Sequence, residues 1–301
     1  MKVSVILNPQ SGTLRNVNIE LLRITLRQAL GNAGLDLVSW HTEARSVNES
    51  LQSAMRHNPD CLLVAGGDGS VSAAAKMAWS NEIALAILPG GTMNLYSRTL
   101  GLPQDIIECA AAYSASHLTE VDVATIDDQV FLHQFTVGLH AQAVRLRNTM
   151  AYGSRLSKII ASIRAFGRVV FHPPRFKVGL VVDGQSFGTR RVSALSVTNN
   201  VFGEGHIPYA DIPDGGVLGV YYSDPIRFMA AIRLIVDTMM GATNDNPYLH
   251  DTVGRKVILQ LPRKRNWGML DGEIINLGNT MTLQTHPRSL RVLLPDQASG
   301  E

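Results

Sequence analysis

The stretch "CLLVAGGDGSVSAAAK", Cys61–Lys76, constrains this chain more than any other. Apolar residues run into Gly66-Gly67-Asp68-Gly69, and a small-residue helical pattern follows at once. A short apolar run bounded by glycine reads as a buried strand, which here must turn directly into a helix. Phosphates bind where backbone N–H groups point outward at a helix N-terminus. Glycine lets the backbone come close, because it has no Cβ and permits positive φ. A carboxylate such as Asp68 is repelled by phosphates unless something lies between. A hydrated Mg²⁺ ion or a ribose hydroxyl would serve. The other reading is a tight turn with Asp68 as helix cap.

A second glycine turn, "AILPGGTMNLYSRTLGLP" (Ala86–Pro103), again sets glycines, Thr92 and Asn94 between a strand and a helical pattern. Residues 1–125 alternate throughout. Strands are expected at Val3–Leu7, Leu35–Trp40, Cys61–Ala65 and Ile83–Leu88, and helices at Ile19–Leu30, Val47–Met55, Ser70–Trp79 and Gln104–Ser114. This order implies an α/β domain with a mostly parallel sheet, which delivers its loops to one ligand-binding edge. "NPQSG" after the first strand and Thr42 after the second add polar groups there.

Residues 126–285 read differently. Phe131–Val137, Phe176–Val182, Val192–Val197, Val217–Tyr222, Val257–Leu261, Met269–Ile275 and Thr280–Thr285 are expected as strands, and Asp183-Gly184 as a hairpin turn. Successive strands of this kind suggest a mainly antiparallel β-sandwich. Helical patterns interrupt it at Ser154–Val170 and Pro225–Met240. In the first of these, Leu156, Ile159, Ile160, Ile163, Phe166 and Val170 share one face, bordered by Arg155, Lys158, Arg164 and Arg168. That pattern fits peripheral contact with an anionic membrane surface. It fits equally a helix packed on the sandwich with a solvated basic rim.

The formal net charge is only +2, yet no acidic residue stands between Asp128 and Asp183, an interval with eight basic residues. An anionic partner is implied, and phosphates or lipid headgroups are preferred here to nucleic acid. Cys61 and Cys109 form no disulfide framework and read as buried, inert thiols. With no signal peptide and no apolar run of about 18 residues, the expectation is a cytoplasmic protein, with docking at the inner membrane surface and a homodimer both left open. The histidines lack metal-site spacing. The P-loop and Gly-x-Ser-x-Gly patterns are absent, and Ser72 breaks the G-x-G-x-x-G pattern.

"NPQSG", "GGDGS", "LPGGTMNLYSRTLGLP", "YADIPDGGVLGVYY" and "LDGE" follow one another in an order that resembles the diacylglycerol kinase catalytic-domain family. The likeness is to its bacterial lipid-kinase branch, which is similar to sphingosine and ceramide kinases. GGDG alone is shared with NAD kinases and phosphofructokinases; the ordered set is specific. The resemblance implies a NAD kinase/diacylglycerol kinase-like fold. Residues 1–125 would be the nucleotide domain, with a strand at Ser289–Leu294 (within 286–301) returning to it, and 126–285 the lipid domain. It further implies an ATP-dependent kinase acting on the hydroxyl of a diacylglycerol-like or related lipid. Asn8, Thr42, Gly66, Gly67, Asp68, Gly69, Ser70, Thr92 and Asn94 would bind ATP. Mg²⁺ would be held by the Asp214 side chain beside the backbone carbonyls of Asp211 and Gly216. Glu273 would be the general base, with Asp271 the nearest rival carboxylate. Asp214 and Glu273 are also ordinary turn and hairpin residues. Leu95 stands where the family usually has Asp, which bears on nucleotide affinity or choice. The alternatives are a NAD kinase-like small-molecule kinase and a catalytically inactive nucleotide-binding regulator.

Overall fold

The computed structural model describes residues 1–42, 46–142, 167, 170–242, 246–262 and 267–296. The strands are β1 (Lys2–Leu7), β2 (Asp36–His41), β3 (Cys61–Gly66), β4 (Ala84–Pro89), β5 (Ser116–Ile126), β6 (Gln129–Phe131), β7 (Gln134–Gly138), β8 (Phe176–Val182), β9 (Gln185–Val192), β10 (Ala194–Asn199), β11 (Leu218–Ser223), β12 (Leu249–Gly254), β13 (Lys256–Gln260), β14 (Trp267–Leu270), β15 (Glu273–Asn276) and β16 (Thr280–Pro295). The helices are α1 (Ile19–Asn32), α2 (Val47–Met55), α3 (Asp68–Ser80), α4 (Leu95–Thr99), α5 (Ile106–Ala112) and α6 (Phe228–Met239). Among the described residues no helix is long and apolar enough to cross a membrane.

The chain divides into two compact units. The first comprises Met1–Val123, Ile212–Asp214 and Pro287–Glu301; the second comprises Ala124–Asp211 and Gly215–His286.

In the first unit the strands run β2-β1-β3-β4-β16, each neighbouring pair parallel. Every residue of β3 and β4 is buried, as expected where both faces of a parallel sheet are covered. Three of the covering helices begin on side-chain caps. Asn18 accepts from the N–H groups of Glu20 and Leu21 before α1, Ser46 from Glu49 before α2, and Asp105 from Ile107 and Glu108 before α5. Cys61 and Cys109 are free and buried, and loss of hydration pushes each thiol up to about 12.

β4 and β16 pair at one position, Val292 with Leu85. Fully buried Tyr113 completes the join beyond that point. Its hydroxyl accepts from the Ile87 N–H at 3.0 Å and lies 3.0 Å from the Ile87 carbonyl and 3.4 Å from that of Leu293. The phenol therefore stands in for ladder bonds that the diverging strands cannot make. Tyr113→Phe should leave the Ile87 N–H without that acceptor and lower stability by about 1–3 kcal/mol, measured by urea unfolding.

The second unit is a β-sandwich. One sheet runs β16-β13-β8-β9 and the other β12-β11-β10-β7-β14-β15, with antiparallel neighbours. Phe176, Val178, Leu180 and Val257 from the first sheet meet Phe135, Val137, Leu195 and Val220 from the second in one core.

Several expected strands differ from what forms, and Thr280–Thr285 and Ser289–Leu294 are parts of one strand, β16. Phe131–Val137 is broken between β6 and β7, because the Asp271 carboxylate takes the N–H groups of Leu132, His133 and Gln134. Met269–Ile275 is a hairpin, turning at Asp271 (φ 44°) and Gly272 (φ 89°). Val192–Val197 is the end of β9 and the start of β10, parted at Ser193. Apart from Gly167 and Val170, the expected helix Ser154–Val170 lies outside the described residues.

Candidate functional site

Three loops of the first unit leave the carboxyl ends of β1, β3 and β4 and pack on one another. Gly90 N–H donates to Gly66 O at 2.9 Å, carrying the β3–β4 ladder to its last rung. Ser11 Oγ donates to Gly90 O at 2.9 Å, and Thr13 N–H to the same carbonyl at 3.1 Å. The glycines are required by space. A Cβ on Gly91 would lie 2.6 Å from the Gly67 Cα, and one on Gly90 would lie 2.6 Å from Leu14 Cδ1. α3 starts directly after Gly67, whose carbonyl accepts from the Ser70 and Val71 N–H groups. The amides of Asp68 and Gly69 are thereby left at the open end of the helix, a geometry suited to an anion.

The side chains of this loop cluster are spent largely on each other. Asn8 Nδ2 donates to the buried Ser70 Oγ at 3.0 Å. Asp68 Oδ1 accepts from the Leu95 N–H at 2.7 Å, tying the first glycine loop to the start of α4. Asn94 is buried, with φ 52°, and its Oδ1 accepts from the Gly91 N–H at 2.8 Å. Asn8, Ser70, Asp68 and Asn94 thus shape the loops. Thr42, Gly69 and Thr92 are the exposed members of the expected set. Two participants were missed, Ser11 and Gly12; a Cβ on Gly12 would lie 2.8 Å from Thr92 Oγ1. Their signal was present, since both belong to "NPQSG".

Asp214 was expected to carry Mg²⁺ for the reaction from the second domain, but it belongs to the first unit. Its Oδ2 accepts from Arg288 Nη2 at 3.2 Å. It lines a shallow hollow of about 480 Å³ with Leu118, Thr119, Glu120, Arg288 and Arg291. Arg288 and Arg291 precede Val292, which pairs with Leu85 near the start of β4, and Arg291 reaches the Glu82 carbonyl. Asp214 therefore stands by the amino ends of the parallel strands, at the edge opposite the glycine loops. Asp211 and Gly216 belong to the second unit, where the Asp211 carboxylate pairs with His206 at 2.9 Å. Among the described residues no three His, Cys, Asp or Glu side chains gather as a metal cage. In the hollow Arg288 already pairs with Asp214, and Arg291 lines the same hollow.

In the second unit Glu273 is exposed at the first position of β15, opposite Leu270. Asp271 is committed elsewhere, to the three N–H groups at 2.8, 3.0 and 2.9 Å.

A parallel sheet with glycine loops packed at its carboxyl edge has those loops at the edge where α/β folds bind ligands. Residues 2–126 match the model of the diacylglycerol kinase catalytic domain. The chain is 28% identical over 223 residues to the diacylglycerol kinase of Staphylococcus haemolyticus, covering 70% of this chain and 64% of that protein. It is 26% identical over 257 residues to an uncharacterized protein of Synechocystis, covering 79% of this chain and 55% of that protein. The matches thus span less than two thirds of these two curated relatives. The structure superposes on that of a diacylglycerol kinase from Bacillus anthracis with a TM-score of 0.71 at 23% identity, covering 99% of this chain and 98% of that one; the likeness is one of fold.

Asp271→Ala should lower stability by about 3 kcal/mol, since it strips three buried-side N–H groups of a charged acceptor. Glu273→Gln, exposed and outside that bond set, should unfold at the same urea concentration as the parent.

Proposed function

We propose that this protein is a lipid kinase that transfers the γ-phosphoryl group of ATP to a lipid hydroxyl. The observation that carries the reading is the glycine-on-glycine packing of the GGDG loop against the "PGGT" loop, in a segment that matches a diacylglycerol kinase catalytic domain. The amides at the start of α3 would meet the ATP phosphates, with Thr42 and Thr92 as exposed hydroxyls at the same edge. Mg²⁺, bound with ATP, would offset charge on the phosphoryl oxygens. Glu273 is the general base. Its carboxylate accepts the lipid hydroxyl's proton as the oxygen–phosphorus bond forms, so proton transfer is late and coupled to attack. Asp271 is no rival, because its oxygens already hold backbone amides.

Labelled ATP offered with diacylglycerol-containing vesicles and, separately, with NAD tests the reading. Label should enter the lipid and not NAD; label in NAD alone, or in neither, overturns it. Glu273→Gln should reduce kcat by about 10²–10⁴-fold with ATP affinity little changed. Full activity in that variant would remove Glu273 from the chemistry.

Asp214→Ala gives a separate expectation. Turnover as a function of Mg²⁺ concentration should follow the parent curve, while the thermal midpoint falls through loss of the Arg288 contact. A rightward shift in Mg²⁺ requirement would restore Asp214 as a ligand.

A further inference from the structure

α6 of the second unit is apolar on both sides. Ala231 and Leu234 are buried against Leu139, Val170 and Ile226. The opposite side is bare: Met229 is 71% exposed, Val236 46%, Met239 50% and Met240 65%. Met229, Val236 and Met240 are spaced i, i+7, i+11, so they share one face of the helix. Phe171, 61% exposed, stacks on Phe228 at 4.3 Å and extends the patch at the N-terminal end of α6. Large apolar side chains gathered on one exposed face mark an interaction surface.

The charge around the patch indicates what it meets. Arg227 caps the helix, Arg233 lies within it, and Arg175 donates to the Ile226 carbonyl just before it. The acidic neighbours are engaged. Asp237 pairs with Arg233 at 3.3 Å and accepts from Asn246 at 2.8 Å, so those two charges offset each other and Arg227 and Arg175 are the cations that count at the rim; Asp224 is hydrogen-bonded to His250 at 2.9 Å. Phe171 and Arg175 also fall in the interval between Asp128 and Asp183, which contains no acidic residue. Apolar side chains with arginines at the rim complement an anionic lipid surface, where the cations reach headgroups while the stems and apolar face enter the acyl boundary. Twelve residues are too few to span a bilayer but suffice to lie in its interface.

We propose that the exposed face of α6, with Phe171, docks the second unit onto an anionic membrane surface. The proposal deepens the lipid-kinase reading by naming the surface that meets the substrate's bilayer, and it concerns residues other than the 154–170 pattern.

The test is co-sedimentation with phosphatidylcholine vesicles, with and without phosphatidylglycerol, in the absence of ATP. The full chain should pellet with the anionic vesicles and less with the neutral ones. Met229→Asp combined with Met240→Asp should weaken binding by at least about tenfold. Val253→Asp, at an equally exposed apolar position on β12, should bind like the parent. Thermal melts check folding, and Met229→Ser with Met240→Ser replaces the aspartate pair if that melts early. Unchanged vesicle binding in the folded double variant overturns the proposal. So does a change of oligomeric state in that variant with vesicle binding intact, which would make the face a contact between two copies. Because binding is read without turnover, a failure of the kinase reading leaves this result interpretable. If both hold, the double variant should lose activity on vesicles and keep it on a short-chain, water-soluble acceptor.

Discussion

Two glycine α-carbons in contact set the terms for the first unit. Gly91 approaches Gly67 so closely that a single added carbon would sit 2.6 Å from the Gly67 Cα. The approach follows from β3 and β4 being neighbouring parallel strands whose pairing continues to Gly66 and Pro89. Both loops then leave the same edge at the same height. Without side chains they nest, and Ser11 and Thr13 close over them through the Gly90 carbonyl. Buried strands below and backbone-lined loops above are one construction. The apolar run brings the loops into line, and the absence of Cβ atoms lets them touch.

The second unit relies on another device, used three times. Asp127, Asp183 and Asp271 each sit at a hairpin turn with φ between 44° and 49°. Each carboxylate accepts backbone N–H groups from a neighbouring strand: Thr282 for Asp127, Arg255 and Lys256 for Asp183, and Leu132 to Gln134 for Asp271. Each aspartate's own N–H also donates across, to Thr282, Lys256 and Gln134 respectively. Aspartate tolerates the left-handed conformation, and its short acceptor reaches where a ladder bond is missing. The turns therefore do more than reverse the chain; they fasten one hairpin to the next. The same fastening sets Glu273, two residues beyond Asp271, at a defined place on the rim of its sheet.

The fold class was legible because its signals are local. β3 and β4 show as unbroken apolar runs, and α2 falls on the expected Val47–Met55. β9 and β12 escaped detection because they lie at sheet edges with mostly exposed or half-exposed residues, so no apolar alternation marks them. β5 escaped because its first half, Ser116–Glu120, is exposed or half-exposed and only its second half is buried. The break at Leu132–His133 was illegible for a different reason: the carboxylate that causes it is 139 positions away in sequence. Periodicity reports what a residue's own strand wants, and says nothing of a partner that arrives from elsewhere. The same limit applies to Asp214, whose turn-like "PDGG" surroundings carry no trace of Arg288.

That distinction bears on Leu95, the position where the sequence departs from the pattern it resembles. The loop frame needs a backbone N–H there, because Asp68 Oδ1 accepts it at 2.7 Å. Any residue but proline supplies that group. Leucine therefore keeps the two glycine loops joined, and the change is confined to the side chain offered above them. The same logic separates the roles of the motif's residues. Asp68, Asn94 and Ser70 are fixed by hydrogen bonds within the loops, while the glycines contribute what they lack. The carboxylate in the opening motif is thus one of the bonds that hold the two glycine loops in place, and the surface presented above it is mainly backbone amide.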